Sequence, residues 1–443
     1  MSKVIKIVQF GEGRFLRAFA DVFFEEVSQS VNDTLKVVMI SPRGRKSEGV
    51  VKEFREQECR YTVCIQGLRN GKYVEEFRVV NCIENLLDPV REYDRYIHES
   101  EDPDLELILS NTTENGIRYD PEDRMNDMPQ KSYPAKLTAF LYHRFCTFEG
   151  DPNKAPIILA SELIDNNAEL LKKIVKKYCA DWNLPPDYLK WLDACSFCSS
   201  LVDRIVVGYP DNPEQYFDKM GYQDRFLDVA EPFSLWAIKD NDKRLKGLFP
   251  WDCLNLPVVF TDELQAYTER KVGILNASHI LIAHVGIQLG YSLVREAIED
   301  NEVKKYILRY MYTEVIPFLS LDESETTQFA METIERFSNP YIDHKLSEIA
   351  KNSLLKWKIR CWPRVIKYHQ QFGRVPEYAA FGFASMLRNL DEPGNSKWVK
   401  VDPISDDALE KEFIELTKLY GELIEKKGMK QALEVLLEKN EVH

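Results

Sequence analysis

The first half of the chain alternates short runs of β-branched and aliphatic residues with longer segments whose apolar positions recur every three or four residues. The short runs predict strands at Val4–Phe10, Leu35–Ser41, Leu105–Ser110 and Pro156–Ala160. The longer segments predict helices at Arg14–Gln29, Leu87–His98, Pro134–Cys146 and Asn166–Trp182. Strand and helix in alternation build a parallel sheet covered on both faces. Arg60–Gln66 and Tyr73–Val79, joined across Leu68–Lys72, read as a hairpin inserted in that alternation. From about Phe260 the strand signal fades, and apolar-periodic segments follow at Glu263–Glu269, Ile274–Glu299, Val303–Phe318 and Thr326–Phe337. Gly247–Pro257, with one glycine and two prolines, breaks both periodicities. The expectation is an α/β doubly wound domain over residues 1–255 and a mostly helical domain over 256–443.

Composition narrows what such a protein does. At 443 residues, with 44% hydrophobic and 29% charged positions, the chain has enough apolar material for two cores. Asp and Glu number 72 against 58 Lys and Arg, a net charge of −14, which disfavours nucleic acid and anionic membranes as partners. A small anionic substrate stays open, because cations inside a pocket act at short range while the global field is screened within about 8 Å. The nine cysteines have no disulfide or metal spacing, and the one close pair, Cys195 and Cys198, reads as structural. The N-terminus runs straight into a strand pattern without a signal-like h-region, so a cytoplasmic location is expected. The most apolar stretch, 274–290, is interrupted by Asn276, His279, His284 and Gln288 and is too short to span a membrane.

Directly after the first predicted strand stands Gly11-Glu-Gly13-Arg14-Phe15, opening the first predicted helix. Glycines there let backbone N–H groups approach a pyrophosphate, the arrangement of a Rossmann-type domain. The third glycine of the fingerprint is replaced by Leu16, so the turn is equally readable as an ordinary strand-to-helix connection. After the second strand no acidic residue awaits a ribose. Arg43, Arg45 and Lys46 stand there, either a solvated basic loop or a seat for a 2′-phosphate, which leaves NAD against NADP open. Asn111, Thr112 and Glu114 lie at the carboxyl end of the Leu105 strand, the edge that faces ligands in doubly wound sheets, and are also ordinary turn residues.

The second part opens with Lys271-Val-Gly-Ile-Leu-Asn276-Ala-Ser-His279. Asn276 and His279, three apart on a helix, share a face. On a continuous α-helix Lys271 projects about 140° from Asn276 and about 80° from His279, so convergence asks Lys271 to stand at the helix start. Reduction of a ketone needs a proton donor and groups that stabilise the developing alkoxide, and these residue types supply both. No H-E-x-x-H, P-loop or G-x-S-x-G is present, and His279 and His284 are five apart, so a helical zinc site, phosphoryl transfer and serine hydrolysis lack their minimal elements.

These segments, together with 9–19, 110–116, 161–166 and 200–210, resemble the mannitol dehydrogenase family, and within it the branch that reduces hexuronates. The resemblance runs in the family's order over most of the chain, and K-x₄-N-x₂-H is its most specific element. It implies a zinc-independent, NAD-dependent oxidoreductase with its active site in a cleft between two domains. In the branch's reaction tagaturonate is reduced reversibly to altronate. Fructuronate reduction or polyol oxidation is the near alternative, and a non-redox dinucleotide-binding epimerase or sensor the distant one. By resemblance Lys271 is the general acid/base, Asn276 and His279 the oxyanion pair, and Gly11, Gly13, Arg14, Phe15, Asn111, Thr112, Glu114 and Asp203 belong to the cofactor site. Where polyol-oxidising relatives carry a substrate-contacting Asn, this chain reads Ser161-Glu162-Leu163, which favours the hexuronate branch. A hexuronate carboxylate calls for cations, and Lys356, Lys358 and Arg360 are the candidates, three residues that read as well as an amphipathic surface helix; Arg336, in the matching segment Arg336-Phe-Ser-Asn-Pro340, is also assigned to the substrate by resemblance.

Overall fold

The computed structural model describes residues 3–31, 33–41, 48–112, 116–254, 256–390 and 408–439. They form two compact units, one of residues 1–66 and 74–264, the other of residues 67–73 and 265–443.

In the first unit, β1 (Val4–Phe10), β2 (Thr34–Ile40), β5 (Ile83–Leu87), β6 (Leu105–Ser110), β7 (Ile157–Ala160) and β8 (Ser196–Asp203) run parallel in the order β5-β2-β1-β6-β7-β8. Counted along the chain with the hairpin left aside, that is 3-2-1-4-5-6, the order of a doubly wound dinucleotide-binding sheet. β11 (Leu235–Lys239) extends it antiparallel beside β8, and β12 (Val258–Phe260) lies parallel to β11 at the edge. Both faces are buried, as a parallel sheet requires. Ile5, Ile7, Val37, Met39, Leu107 and Leu109 pack on one side with Phe19, Phe23 and Phe24. Val8, Phe10, Val38, Ile40 and Ile108 pack on the other with Leu137, Phe140, Leu171 and Val175.

The hairpin is real, with longer strands than the sequence predicts. β3 (Tyr61–Arg69) and β4 (Lys72–Val80) meet across Asn70 and Gly71, both at positive φ, a two-residue turn matched to strand twist. With β9 (Val206–Gly208) and β10 (Asp228–Ala230) they make a separate sheet in the order β4-β3-β10-β9. Three other expectations need correction. The predicted helix Arg14–Gln29 is two helices, Arg14–Arg17 and Ala20–Ser30. It breaks because Tyr61 Oη donates to the Arg17 carbonyl (3.1 Å) and Arg204 Nη1 to the Ala18 carbonyl (2.9 Å), taking acceptors the helix would use. The predicted helix Leu87–His98 begins only at Tyr93, and Leu87 instead ends β5. β8 was hidden by its serines, whose hydroxyls are satisfied inside: Ser196 Oγ donates to Asp242 (2.8 Å) and Ser200 Oγ to the Ala160 carbonyl (2.8 Å). Cys195 and Cys198 are buried, one in each core.

The second unit is helical apart from the hairpin tip assigned to it. The expected Ile274–Glu299 helix is resolved into a π-helical turn Lys271–Asn276, an α-helix Ala277–Gln288 and a shorter helix Val294–Glu299 after a turn at Gly290. Helices Glu323–Phe337, Ser353–Arg360 and Glu377–Leu390 pack in the same unit. Among the described residues no helix is long and apolar enough to cross a membrane.

Candidate active site

The carboxyl ends of β1 and β6 are adjacent, so the chain reverses its winding there and leaves a crevice at the sheet's edge. Gly11 and Gly13 stand at this point with different duties. Gly11 has φ +134°, and a Cβ on it would lie 3.0 Å from Leu16 Cδ1 and 3.3 Å from the Asn111 carbonyl oxygen. Gly13 has an ordinary extended conformation and nothing within 4 Å of its Cβ position, so its backbone is approachable from outside. Behind the turn, Gln9 Nε2 donates to the Gly11 carbonyl (3.1 Å), and Ser41 Oγ to the buried Glu12 (3.2 Å). Arg14 is exposed, and Phe15 stacks on Phe19 with ring centroids 5.0 Å apart. The four-residue helix that follows is too short to lend the field expected of a full first helix.

On the β6 side, Glu162 organises the loop, and sequence reasoning missed it. Its buried carboxylate accepts from Ser110 Oγ (3.2 Å), Thr112 N (3.1 Å) and Thr112 Oγ1 (2.9 Å). Burial, opposed by these bonds, raises its pKa. Asn111 Nδ2 donates to the Ser161 carbonyl (2.5 Å). Next to this loop lies a cavity of about 180 Å³ lined by Ile40, Ser41, Thr112, Ser132, Tyr133 and Lys136 among others. The buried Tyr133 Oη, next to Ser110, has no hydrogen-bond partner by geometry among the described residues. Lys136 is pushed down to about 8 by burial, and its Nζ donates to the Lys131 carbonyl (2.7 Å). An accessible glycine backbone, a buried unpartnered hydroxyl and a polar cavity at the switch point fit a dinucleotide. Asp203 ends β8 at the same edge, buried, but β6 and β7 separate it from β1. By strand spacing that is about 14 Å, so it is not gathered with the glycine turn. Glu114, Arg43, Arg45 and Lys46 lie outside the described residues.

In the second unit the structure corrects the geometry expected for Lys271. The helix does not start there: Leu264–Arg270 is α-helical and runs directly into the π turn. Lys271 therefore does not stand at a helix start, contrary to expectation. A turn closed by i→i+5 bonds brings residues five apart roughly into line, so Lys271 and Asn276 share a face without any helix start. Gly273 permits the turn, since a Cβ there would lie 2.7 Å from Cγ1 of the buried Val315. Arg270, buried, is held by Glu325 (2.5 Å) and lies over the rings of Tyr267 and Phe329, which fixes the residue before Lys271.

His279 follows one turn after Asn276. Its ring lies 4.4 Å from that of Phe337 and 4.9 Å from that of His344, and its buried Nε2 has no hydrogen-bond partner among the described residues. Burial, then His344, Arg336, Arg360 and Lys356, lower its pKa well below the usual imidazole range, so it is neutral at working pH. Three of the four candidate cations thus act electrostatically on one imidazole, Arg336 buried and Lys356 and Arg360 half-buried, whereas Lys358 is exposed and does not join them. His344 was not singled out in the sequence, where a lone histidine in a loop carries no signal. Among the described residues no three His, Cys, Asp or Glu side chains are grouped as metal ligands.

Comparison with known proteins follows this division. The sequence model of the mannitol dehydrogenase Rossmann domain matches residues 5–251, and that of the mannitol dehydrogenase C-terminal domain residues 263–438. The chain is 38% identical over 384 residues to the altronate oxidoreductase of Bacillus subtilis (strain 168), covering 86% of this chain and 79% of that one. A substrate-free D-sorbitol dehydrogenase has a similar fold, with TM-score 0.81 and 21% identity over 98% of both chains. So does the Pseudomonas fluorescens mannitol 2-dehydrogenase solved with NAD and D-mannitol, with TM-score 0.73 and 22% identity over 99% of this chain and 95% of that one.

Proposed function

The chain belongs to the mannitol dehydrogenase family and is an oxidoreductase acting on CH–OH groups, and we propose that it interconverts tagaturonate and altronate with NAD(H). The observation that carries the substrate is the positive charge of Arg336, Arg360 and Lys356 around His279, which after burial and His344 lowers that imidazole's pKa. A sugar acid has a carboxylate that this positive charge would favour, whereas a polyol has none. The relatives named altronate oxidoreductase support the same choice.

Gly11, Gly13, Asn111 and Thr112 hold the cofactor's phosphates and ribose in this reading, with Tyr133 toward the adenosine end and Arg14, Phe15 and Asp203 along its path. Of the cavity's cations, Lys131 is paired with Glu122 (2.7 Å), Lys136 donates to a carbonyl and Arg118 is exposed, and NADH rather than NADPH is proposed from the family alone. When bound, NADH supplies the hydride. Lys271 Nζ gives the proton to the carbonyl oxygen, and Asn276 and His279 donate hydrogen bonds to that oxygen as its charge develops. In the reverse direction Lys271 takes the alcohol proton.

The deciding assay is NADH oxidation with tagaturonate beside fructuronate, and NAD reduction with altronate beside mannitol. Tagaturonate and altronate are expected to give the highest kcat/KM; a preference for mannitol would refute the substrate class. Gly13→Leu is expected to abolish NADH binding by filling the approach to the backbone, and unchanged affinity in that variant would remove the glycine turn from the cofactor site.

A further inference from the structure

The stretch between helices Glu323–Phe337 and Ser353–Arg360 is anchored at His344 and at the two residues after it. The His344 carbonyl accepts from Val294 N (3.0 Å), Lys345 forms a bridge with Leu293, and Leu346 N donates to the Ser292 carbonyl (2.9 Å). The backbone is therefore fixed, and the imidazole is presented edge to face against His279, with an interplanar angle of 71°. Most of the ring is covered, yet neither nitrogen has a hydrogen-bond partner among the described residues. Phe337 is the other ring against His279, so of the two His344 is the one with polar atoms.

We infer that His344 is a substrate-binding residue that gives a hydrogen bond to, and takes one from, the hydroxyl groups between the reacting carbonyl and the carboxylate of a sugar acid. The inference rests on the reading of the site as that of a sugar-acid reductase. The chemistry follows from the positions of the groups. His279 addresses the reacting oxygen, and Arg336, Lys356 and Arg360 address the charged end, leaving a row of hydroxyls that are each donor and acceptor. A neutral imidazole, with one N–H and one bare nitrogen, matches such a group in both senses. Burial, followed by the charge of Lys356, lowers the pKa of His344 and keeps it in that neutral form. A ring centroid 4.9 Å from that of His279 is two or so carbon positions along the substrate, within the span of one sugar chain.

Steady-state kinetics with tagaturonate on His344→Phe and His344→Gln tests this. Phenylalanine keeps a ring against His279 and removes both nitrogens, and glutamine keeps a donor and an acceptor without the ring. His344→Phe is expected to raise KM at least ten-fold with NADH affinity unchanged, and His344→Gln to stay within about three-fold of wild type. A purely packing role predicts the reverse order. Wild-type KM in His344→Phe would overturn the inference, as would equal losses in both variants. If the wild-type protein itself turns over no sugar acid with NADH, the functional reading fails, and this inference with it.

Discussion

His279 sits among charges that keep it neutral, and that determines how the reaction responds to acid. A protonated His279 would already carry a positive charge before the alkoxide forms, beside three other cations. Its folded pKa lies well below the ordinary value near 6.5, chiefly through burial and then through His344, Arg336, Arg360 and Lys356. From pH 8 down through 6.5 the folded enzyme takes up no proton at this residue, so kcat/KM should show no acid limb with an apparent pKa near 6.5 from His279. The unfolded chain does take up that proton, so the stability tied to a neutral His279 is fully present above about 6.5 and declines as pH falls below it. An acid limb near 6.5 that vanishes in His279→Asn would contradict this. The proton itself is assigned to Lys271. Lys271→Ala should lower kcat by about 10² to 10⁴ while NADH binding persists, and small primary amines should restore part of the rate. In the proposed mechanism Lys271 and His279 act on one oxygen, so the double variant should lose less than the product of the single losses. Near wild-type turnover in a folded Lys271→Ala variant would refute the assignment.

At the scale of elements, the parallel strands and the inserted hairpin were legible because buried β-branched runs and a two-residue Asn-Gly turn leave clear marks. The π turn left none, since Lys271–Asn276 reads like any apolar helix segment and only its hydrogen bonds set it apart. The K-x₄-N-x₂-H spacing makes physical sense once that turn is known: five residues suit an i→i+5 turn and not an α-helix. Likewise β8 was missed because serine reads as loop until its partners are seen, and Glu162 because its role lies in three hydrogen bonds made across the sheet edge. The π turn also makes a prediction. Gly273→Ala places a methyl 2.7 Å from Cγ1 of the buried Val315. The turn must shift or unwind, at a cost of about 1–3 kcal/mol for overpacking. A displacement of about 1 Å of the proton donor is enough to cost on the order of 10²-fold in rate. The expected result is a fall in kcat of ten- to a hundred-fold with unchanged NADH affinity, whereas an unaffected kcat would mean that the turn does not set the position of Lys271.

For the molecule as a whole, a net charge of −14 is compatible with the proposed anionic substrate, because cations near His279 act at short range while the global charge is screened. The same economy extends to metal. Polarising a ketone requires positive charge or hydrogen-bond donors at its oxygen, and Lys271, Asn276 and His279 are assigned that duty together. The histidine best placed in sequence to join His279 in a metal site is His284, and it is committed elsewhere. Its Nε2 is bonded to Ser353 Oγ (2.7 Å), and its Nδ1 to Asn389 Nδ2 (3.0 Å). Burial and then Lys356 push its pKa down to about 4, so it is a neutral structural link between helix Ala277–Gln288 and the helix that carries Lys356 and Arg360. The cations around His279 would also repel a divalent ion. Exhaustive treatment with EDTA and then phenanthroline, followed by metal analysis, should therefore leave kcat and KM for tagaturonate within about two-fold of the untreated protein. A loss of activity that returns on adding zinc, and that tracks one equivalent of bound metal, would overturn the assignment of charge stabilisation to these three side chains.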